Sequence, residues 1–408
     1  MDKNYSLDLD FINRELSLIL EILKTENEDS LLLNRKELFI DIDWGQFLQL
    51  AMHHRLYPLI YSKLKKINRD LIPSHVIETL YREYKKNTFK MLLLSSEMEQ
   101  VSKLFIENQI RLLFLKGPVI AADLFGDISL RTSKDLDILI PISNLERAEE
   151  LLLNAGYERE EGETVLNIRK WRDHHVSYFH PEKKIQLELH WRLQPYPSKE
   201  PRFNELWERK RISMLTNYPV YFLGKNDLFL YLVSHGARHV WLRLRWLVDI
   251  DMILKQCIKD EKKWTLTKKY QNHYIVGQAL ILTSQLLNTP IEEELKKLTV
   301  GKRSKKLAQM AIFYINEEFT NSNNSIPTVS LNKNQISNIH LINNIKKSIF
   351  VNYYFYSLQT SSQNAFFIFR LFYPSSADLK TLILPKPLHF LYFPLRPFLW
   401  AWRMTLKR

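Results

Sequence analysis

Two aspartates stand one residue apart in the run Arg131-Thr132-Ser133-Lys134-Asp135-Leu136-Asp137-Ile138-Leu139-Ile140. Successive side chains of a β-strand alternate between its faces, so Asp135 and Asp137 emerge together while Leu136, Ile138 and Ile140 face a core. Like charges so placed repel, and a shared divalent cation relieves the repulsion most simply. Metal-assisted phosphoryl or nucleotidyl transfer is the chemistry that such a pair serves. In Lys184-Ile185-Gln186-Leu187-Glu188-Leu189-His190 the same alternation puts Glu188, with Gln186 and His190, on the polar face. Asp135, Asp137 and Glu188 are therefore the expected catalytic acids and ligands of Mg2+ or Mn2+. In a two-metal arrangement Glu188 and one Asp serve the ion that activates the attacking hydroxyl, and the Asp pair bridges to the ion that clamps the phosphates.

An anionic co-substrate also needs donors and cations. Gly117 permits close backbone approach, the helix opened by Pro118 presents its free amides, and Ser133 adds a hydroxyl. Lys116 and Arg131 are placed to neutralise charge on a transferred group. Taken singly each is weak, since a Gly-Pro turn is usually only a turn and a lone Arg is usually solvated. His190 shares a strand face with Glu188, where it holds that carboxylate or meets the acceptor. His235 and His239 lie four apart on one helical face, without the neighbouring Glu of a zinc hydrolase. Arg245 and Asp249, also four apart, read as an intrahelical ion pair. Structural roles are open to all of these helix residues, His235, His239 and Arg245 included. Adjacent His53 and His54 point about 100° apart on a helix and do not readily share a metal. His174 and His175 receive no role.

These residues need a sheet and helices to hold them. Apolar periodicity predicts helices over 7–23, over a pair of segments meeting at Tyr57-Pro58, and over 74–108, the last as one long helix or two with a slight bend, with Asp43 as an N-cap. Strands follow at 110–116, at the paired acids, and at 176–180 and 184–190, the last two joined by a Pro181-Glu182-Lys183 turn. A helix spans 118–124 and another 142–156, opened by a Ser143/Glu146 capping box. That order implies a small mixed sheet covered by helices on one side. After Leu193 the pattern is helical, at 226–240, 246–257, 277–287 and 304–318. Four regions are expected: helical 1–108, a sheet core 109–195, helical 196–320, and a linker with an aromatic, basic end over 321–408. Residues 320–335 form a polar linker-like stretch.

The chain has 408 residues and a single cysteine, Cys257, which excludes a disulfide framework and a Cys-rich zinc site. With no secretory signal read at its start, a cytoplasmic location is expected. Net charge is +13, yet beyond residue 45 the chain holds 53 basic against 34 acidic residues, a net of +19. That excess suits nucleotide phosphates, nucleic acid or an anionic membrane, or serves only solubility. The segment 349–408 carries seven Lys or Arg against one acid, Asp378. Its most apolar run, 388–402, is too short and too interrupted by proline to span a bilayer, so no transmembrane segment is expected. Packing on the protein's own core, a peripheral membrane contact and a partner surface remain open for it.

The Leu115-Lys116-Gly117 turn, the Arg131-x-Ser133-x-Asp135-Leu136-Asp137-Ile138-Leu139 run and the Glu188-Leu189-His190-Trp191-Arg192-Leu193 strand together resemble the uncharacterised bacterial nucleotidyltransferase family. The likeness runs from residue 40 to 290, including the helical pair at 43–64 and the SHGARHVWLRLRWLVDID segment. It implies an α+β fold whose small mixed sheet is similar to the minimal nucleotidyltransferases of the polymerase-β type, flanked by N- and C-terminal helical regions. Two departures from the wider superfamily stand out. Gly117 is followed by proline with 17 residues before Asp135, a longer spacer than usual, and the third acid is Glu where Asp is usual. The implied activity is transfer of an NMP, AMP foremost, from an NTP to a hydroxyl or phosphate of a small molecule, peptide, protein or RNA. The resemblance also implies that the SHGARHVWLRLRWLVDID helix packs beside the nucleotide site, where His235, His239 or Arg245 contacts base, phosphate or acceptor, with structural roles as the alternative. The alternatives are a non-catalytic nucleotide-binding scaffold and an RNA-binding protein.

Overall fold

Helix α1 (Arg14–Lys24) starts later than its apolar pattern because Asn13 caps it, accepting from the Leu16 amide at 2.8 Å. Asp43 caps α2 (Trp44–His53) in the same way, accepting from Gln46 at 3.0 Å, and α3 (Tyr57–Leu64) carries Pro58 in its first turn. The Gly- and Pro-free stretch that follows forms one uninterrupted helix, α4 (Ser74–Glu107), 34 residues long. The computed structural model describes residues 6–10, 12–25, 36–65, 71–160, 174–195, 198–259, 273–323, 353–358, 364, 374 and 376–406.

Strand β1 (Leu113–Phe114) leads through Gly117 into α5 (Pro118–Phe125), and then to β2 (Asp135–Leu139). Gly117 has φ +94°, a conformation that a side chain would strain. The expected capping box does not form. Ile142–Asn144 is a 3-10 turn, and α6 (Leu145–Asn154) begins after it, while the Ser143 hydroxyl instead bonds Asn144 Oδ1 at 3.2 Å. Strands β3 (Glu158–Arg159), β4 (His175–His180) and β5 (Ile185–His190) complete one side of the sheet.

The helical expectation beyond Leu193 gives way in part. After α7 (Phe203–Glu208), strands β6 (Arg211–Ser213) and β7 (Val220–Phe222) extend the sheet to seven strands, in the order β3-β4-β5-β2-β1-β7-β6. Three residues are too few for a period-two signal, so only pairing with β1 and the bidentate Arg211–Asp123 bridge to α5, at 2.8 and 2.9 Å, disclose them. The pairs β2–β5 and β1–β7 are parallel and the others antiparallel.

Helices α8 (Lys225–Arg238), α9 (Leu244–Lys259), α10 (His273–Leu287), α11 (Glu293–Thr299) and α12 (Lys302–Asn323) follow. The polar stretch 320–335 lies outside the described residues beyond 323. A terminal helix, Tyr392–Leu406, runs through Pro397. Near it the buried Asp378 takes Arg403 at 2.6 Å and Arg396 at 3.8 Å. No helix among the described residues is long and apolar enough to cross a membrane.

One apolar core runs through the chain, from Leu16 and Phe47 through Leu136 and Leu187 to Leu280 and Ile312. The acid-bearing face of β2 is covered as well, because Asp137 is 0% exposed and α8 brings Tyr231 and Arg238 into its electrostatic reach. Burial of Asp137 on this second face is a correction to the one-sided cover implied by the order of elements. Helix α9 is tied down by a bidentate pair in which Arg131, just ahead of β2, donates to Asp249 at 2.8 and 2.9 Å, both side chains buried. Removing one partner strands a buried charge. Arg131→Met should therefore cost about 3–5 kcal/mol in urea or guanidinium unfolding.

Candidate active site

The parallel register of β2 on β5 sets Asp137 opposite Glu188, Asp135 opposite Gln186 and Leu139 opposite His190. Side-chain oxygens and nitrogen of Asp137, Glu188 and His190 converge within 4.8 Å of one another. His190 Nε2 stands 3.2 Å from Glu188 Oε2 and 3.4 Å from Asp137 Oδ1. Glu188 leaves the core, its side chain 22% exposed, and is more open to an incoming molecule than the fully buried Asp137. Asp135 is not in the convergent group, although it shares the face of Asp137 and feels its charge.

Lys116 Nζ lies 2.9 Å from Asp137 Oδ1, so the lysine expected to meet phosphate is ion-paired to the central acid. Burial would push the Asp137 carboxyl up, but Lys116 and the bond from His190 outweigh it and hold the group well below the usual carboxylate range. Burial likewise opposes charge on His190, and its bonds to Asp137 and Glu188 overcome that and raise it. Asp135 goes the other way. Burial and the neighbouring Asp137 charge, against the pull of Lys116, push it up to about 6.

The remaining sequence candidates fall into two sets. Ser133 is buried and its hydroxyl donates to the Asp135 carbonyl at 3.1 Å. Arg131 spends two of its N–H groups on Asp249, while its Nη1 is buried with no hydrogen-bond partner among the described residues. Arg245 does not hold Asp249. It donates from Nη1 to the Thr132 carbonyl and, at 3.0 Å, to Thr132 Oγ1, because Arg131 occupies Asp249 in the tertiary fold. Burial, with Arg131 beside it, lowers Arg245 to about 9, which leaves it charged at neutral pH. His239 is at the end of α8, stacked on Trp246 at 5.2 Å, with His235 4.6 Å away, and neither belongs to a convergent ligand group among the described residues.

Sequence reasoning passed over His174, His175, Arg238 and Arg55. His175 pairs with His190 across β4 and β5, and its ring stacks on His190 at 4.8 Å. Arg238 Nη1 is 3.4 Å from His174 Nε2 and donates to Gln194 Oε1 at 3.2 Å. Arg55, at the α2–α3 corner with φ +55°, lies in the field of Asp135. The adjacent histidines at the entry to a predicted strand were the one available signal.

The donors fit a divalent cation. Asp137 Oδ2 is buried with no hydrogen-bond partner among the described residues, and Asp137 belongs to a convergent group of two carboxylates and an imidazole. Paired acids on one strand, a third on its parallel neighbour and a Gly-opened helix ahead of them define the sheet of a nucleotidyltransferase. The family profile described as "Uncharacterised nucleotidyltransferase" matches residues 41–288, and the chain belongs to that family. Searches of curated proteins and of solved structures give no match.

Because the folded pKa of Asp135 lies above its unfolded value, the ionised side chain opposes folding above about pH 6, and that penalty is absent below about pH 4. Asp135→Asn should therefore raise the melting temperature of the metal-free protein at pH 8. The gain should shrink through pH 6 and vanish near pH 4 in melts across that range.

Proposed function

We propose that this protein is a metal-dependent nucleotidyltransferase that moves an NMP, AMP foremost, from an NTP to a hydroxyl or phosphate of an acceptor. The carrying observation is the convergence of Asp137, Glu188 and His190 within 4.8 Å on the sheet of a chain from this family. A divalent ion, Mg2+ or Mn2+, bound there would draw charge from the phosphates and from the attacking oxygen. Asp137 and Glu188 would hold it, with Asp135 beside them.

The chain's own groups divide the other work. Lys116 and His190 keep Asp137 ionised in a buried position, where an unpaired carboxylate would take up a proton. Glu188, partly exposed, orients the acceptor and receives its proton as the new oxygen–phosphorus bond forms and pyrophosphate departs. Arg131 Nη1 and Arg245 lie on the loop side of β2, where we assign them to the charge on the leaving phosphates. The acceptor is a small molecule, peptide, protein or RNA, and the single cysteine suits a cytoplasmic setting.

Mg2+-dependent release of pyrophosphate from NTP is the test. Asp137→Ala should lower it by about 100-fold or more, and Glu188→Gln similarly. Release that survives in Asp137→Ala would overturn the assignment of catalysis to these acids, and a parent protein that releases none would return to the class of nucleotide-binding scaffolds.

The end of the chain supports a second role. Phe398, Trp400 and Trp402 are 72%, 55% and 59% exposed on the terminal helix, in a segment with six basic residues and no acid from Lys380 to Arg408. We assign this surface to peripheral contact with an anionic membrane. The protein should co-sediment with vesicles containing anionic lipid, and Trp400→Ser with Trp402→Ser should abolish that while sparing pyrophosphate release.

A further inference from the structure

A second group of donor atoms adjoins the acids. His174 immediately precedes β4, His175 opens it, and His190 closes β5. Their ligand nitrogens lie within 4.8 Å of one another. Ring centroids are 4.5 Å apart for His174 and His175, 4.8 Å for His175 and His190, and 5.5 Å for His174 and His190. The strands fix this cluster, since His175 is in register with His190 and the His174 carbonyl accepts from the Trp191 amide at 3.0 Å.

We propose that His174, His175 and His190 bind a divalent transition-metal ion of the Zn2+ or Co2+ class, next to the carboxylate site and distinct from it in preference. His175 Nδ1 and His174 Nε2 are 3.3 Å apart. Two imidazole nitrogens on a tetrahedral ion, each about 2.0–2.1 Å from it, stand about 3.3–3.4 Å from one another. A hydrogen bond between the two rings has that length too, but it leaves the third ring unexplained. His190 Nδ1 is buried with no hydrogen-bond partner among the described residues, while its Nε2 serves Asp137 and Glu188. A buried imidazole with one nitrogen committed and the other bare is the arrangement that a metal ligand with a carboxylate behind it adopts.

Charge decides whether an ion is tolerated there. Arg238, 3.4 Å from His174, opposes it, and Glu188 Oε2, 3.9 Å from His175 Nε2, favours it with Asp137 behind. Neutral imidazoles select ions that Mg2+ cannot displace, because Mg2+ prefers oxygen. The inference stands beside the transferase reading without resting on it.

Full-length protein stripped with chelator and titrated with Co2+ tests it through visible d–d absorption. One equivalent should give tetrahedral bands, which Zn2+ abolishes and excess Mg2+ leaves intact. His174→Gln with His175→Gln should weaken binding at least tenfold, as should His175→Gln alone, with circular dichroism showing both folded. His75→Gln, at an exposed position on α4, should bind as the parent does. Absence of the bands, or an unchanged titration in the double variant, overturns the site and leaves a hydrogen-bonded histidine pair. Parent protein that releases pyrophosphate with Mg2+ yet binds no Co2+ sinks this site alone. Co2+ bound through the histidines without any NTP turnover sinks the transferase reading alone.

Discussion

A carboxylate with no exposed surface sits at the centre of this protein. Asp137 lies within β2 between two other strands, and its charge is tolerated only because Lys116 and His190 reach it from neighbouring elements. Isolating a carboxylate from water costs several kcal/mol unless it is paired. The alignment of β1, β2 and β5 that brings those partners together is therefore under electrostatic as well as hydrophobic constraint. Lys116 follows β1, which runs antiparallel to β2, and His190 ends β5, which runs parallel to it. A slip of one residue would turn every acid to the apolar face.

Around that centre the connection from Gly126 to Lys134, which includes a 3-10 turn at Ile128–Leu130, is held by buried polar contacts. Asn87 on α4 donates to the carbonyl of Ser129 at 2.8 Å, and Tyr84 and Ser129 share a hydrogen bond of 2.8 Å. Arg131 and Thr132 are then seized by Asp249 and Arg245 of α9. The long spacer between Gly117 and Asp135 is thus a packed connection whose backbone is bound to helices from both halves of the chain.

The site has an uneven electrostatic character that follows from burial. Asp137 is driven towards permanent ionisation and Asp135, two residues away, towards protonation near pH 6. One acid sits against a lysine and an imidazole, and the other against the charge of the first. Environments that push paired carboxylates apart in this way commonly mark places where a cation is handled.

Local pattern alone disclosed much of this molecule. The alternation in β2 and β5 identified Asp135, Asp137, Glu188 and His190, and the proline after Gly117 identified a helix start. The absence of Gly and Pro in 74–107 matched one long helix. These are short-range consequences of backbone geometry, and they need no partner to be read. What only the tertiary structure decided is which charges meet. Asp249 pairs with Arg131 rather than with Arg245 four residues away, because a buried bidentate bridge across the fold prevails over a helical-surface pair worth a few tenths of a kcal/mol. Strands β6 and β7, three residues each, exist by virtue of β1. His174 and His175 acquired a partner only when β4 laid them against His190. Sequence fixes what a residue can do chemically, and long-range packing fixes its neighbours, which set its charge and its role.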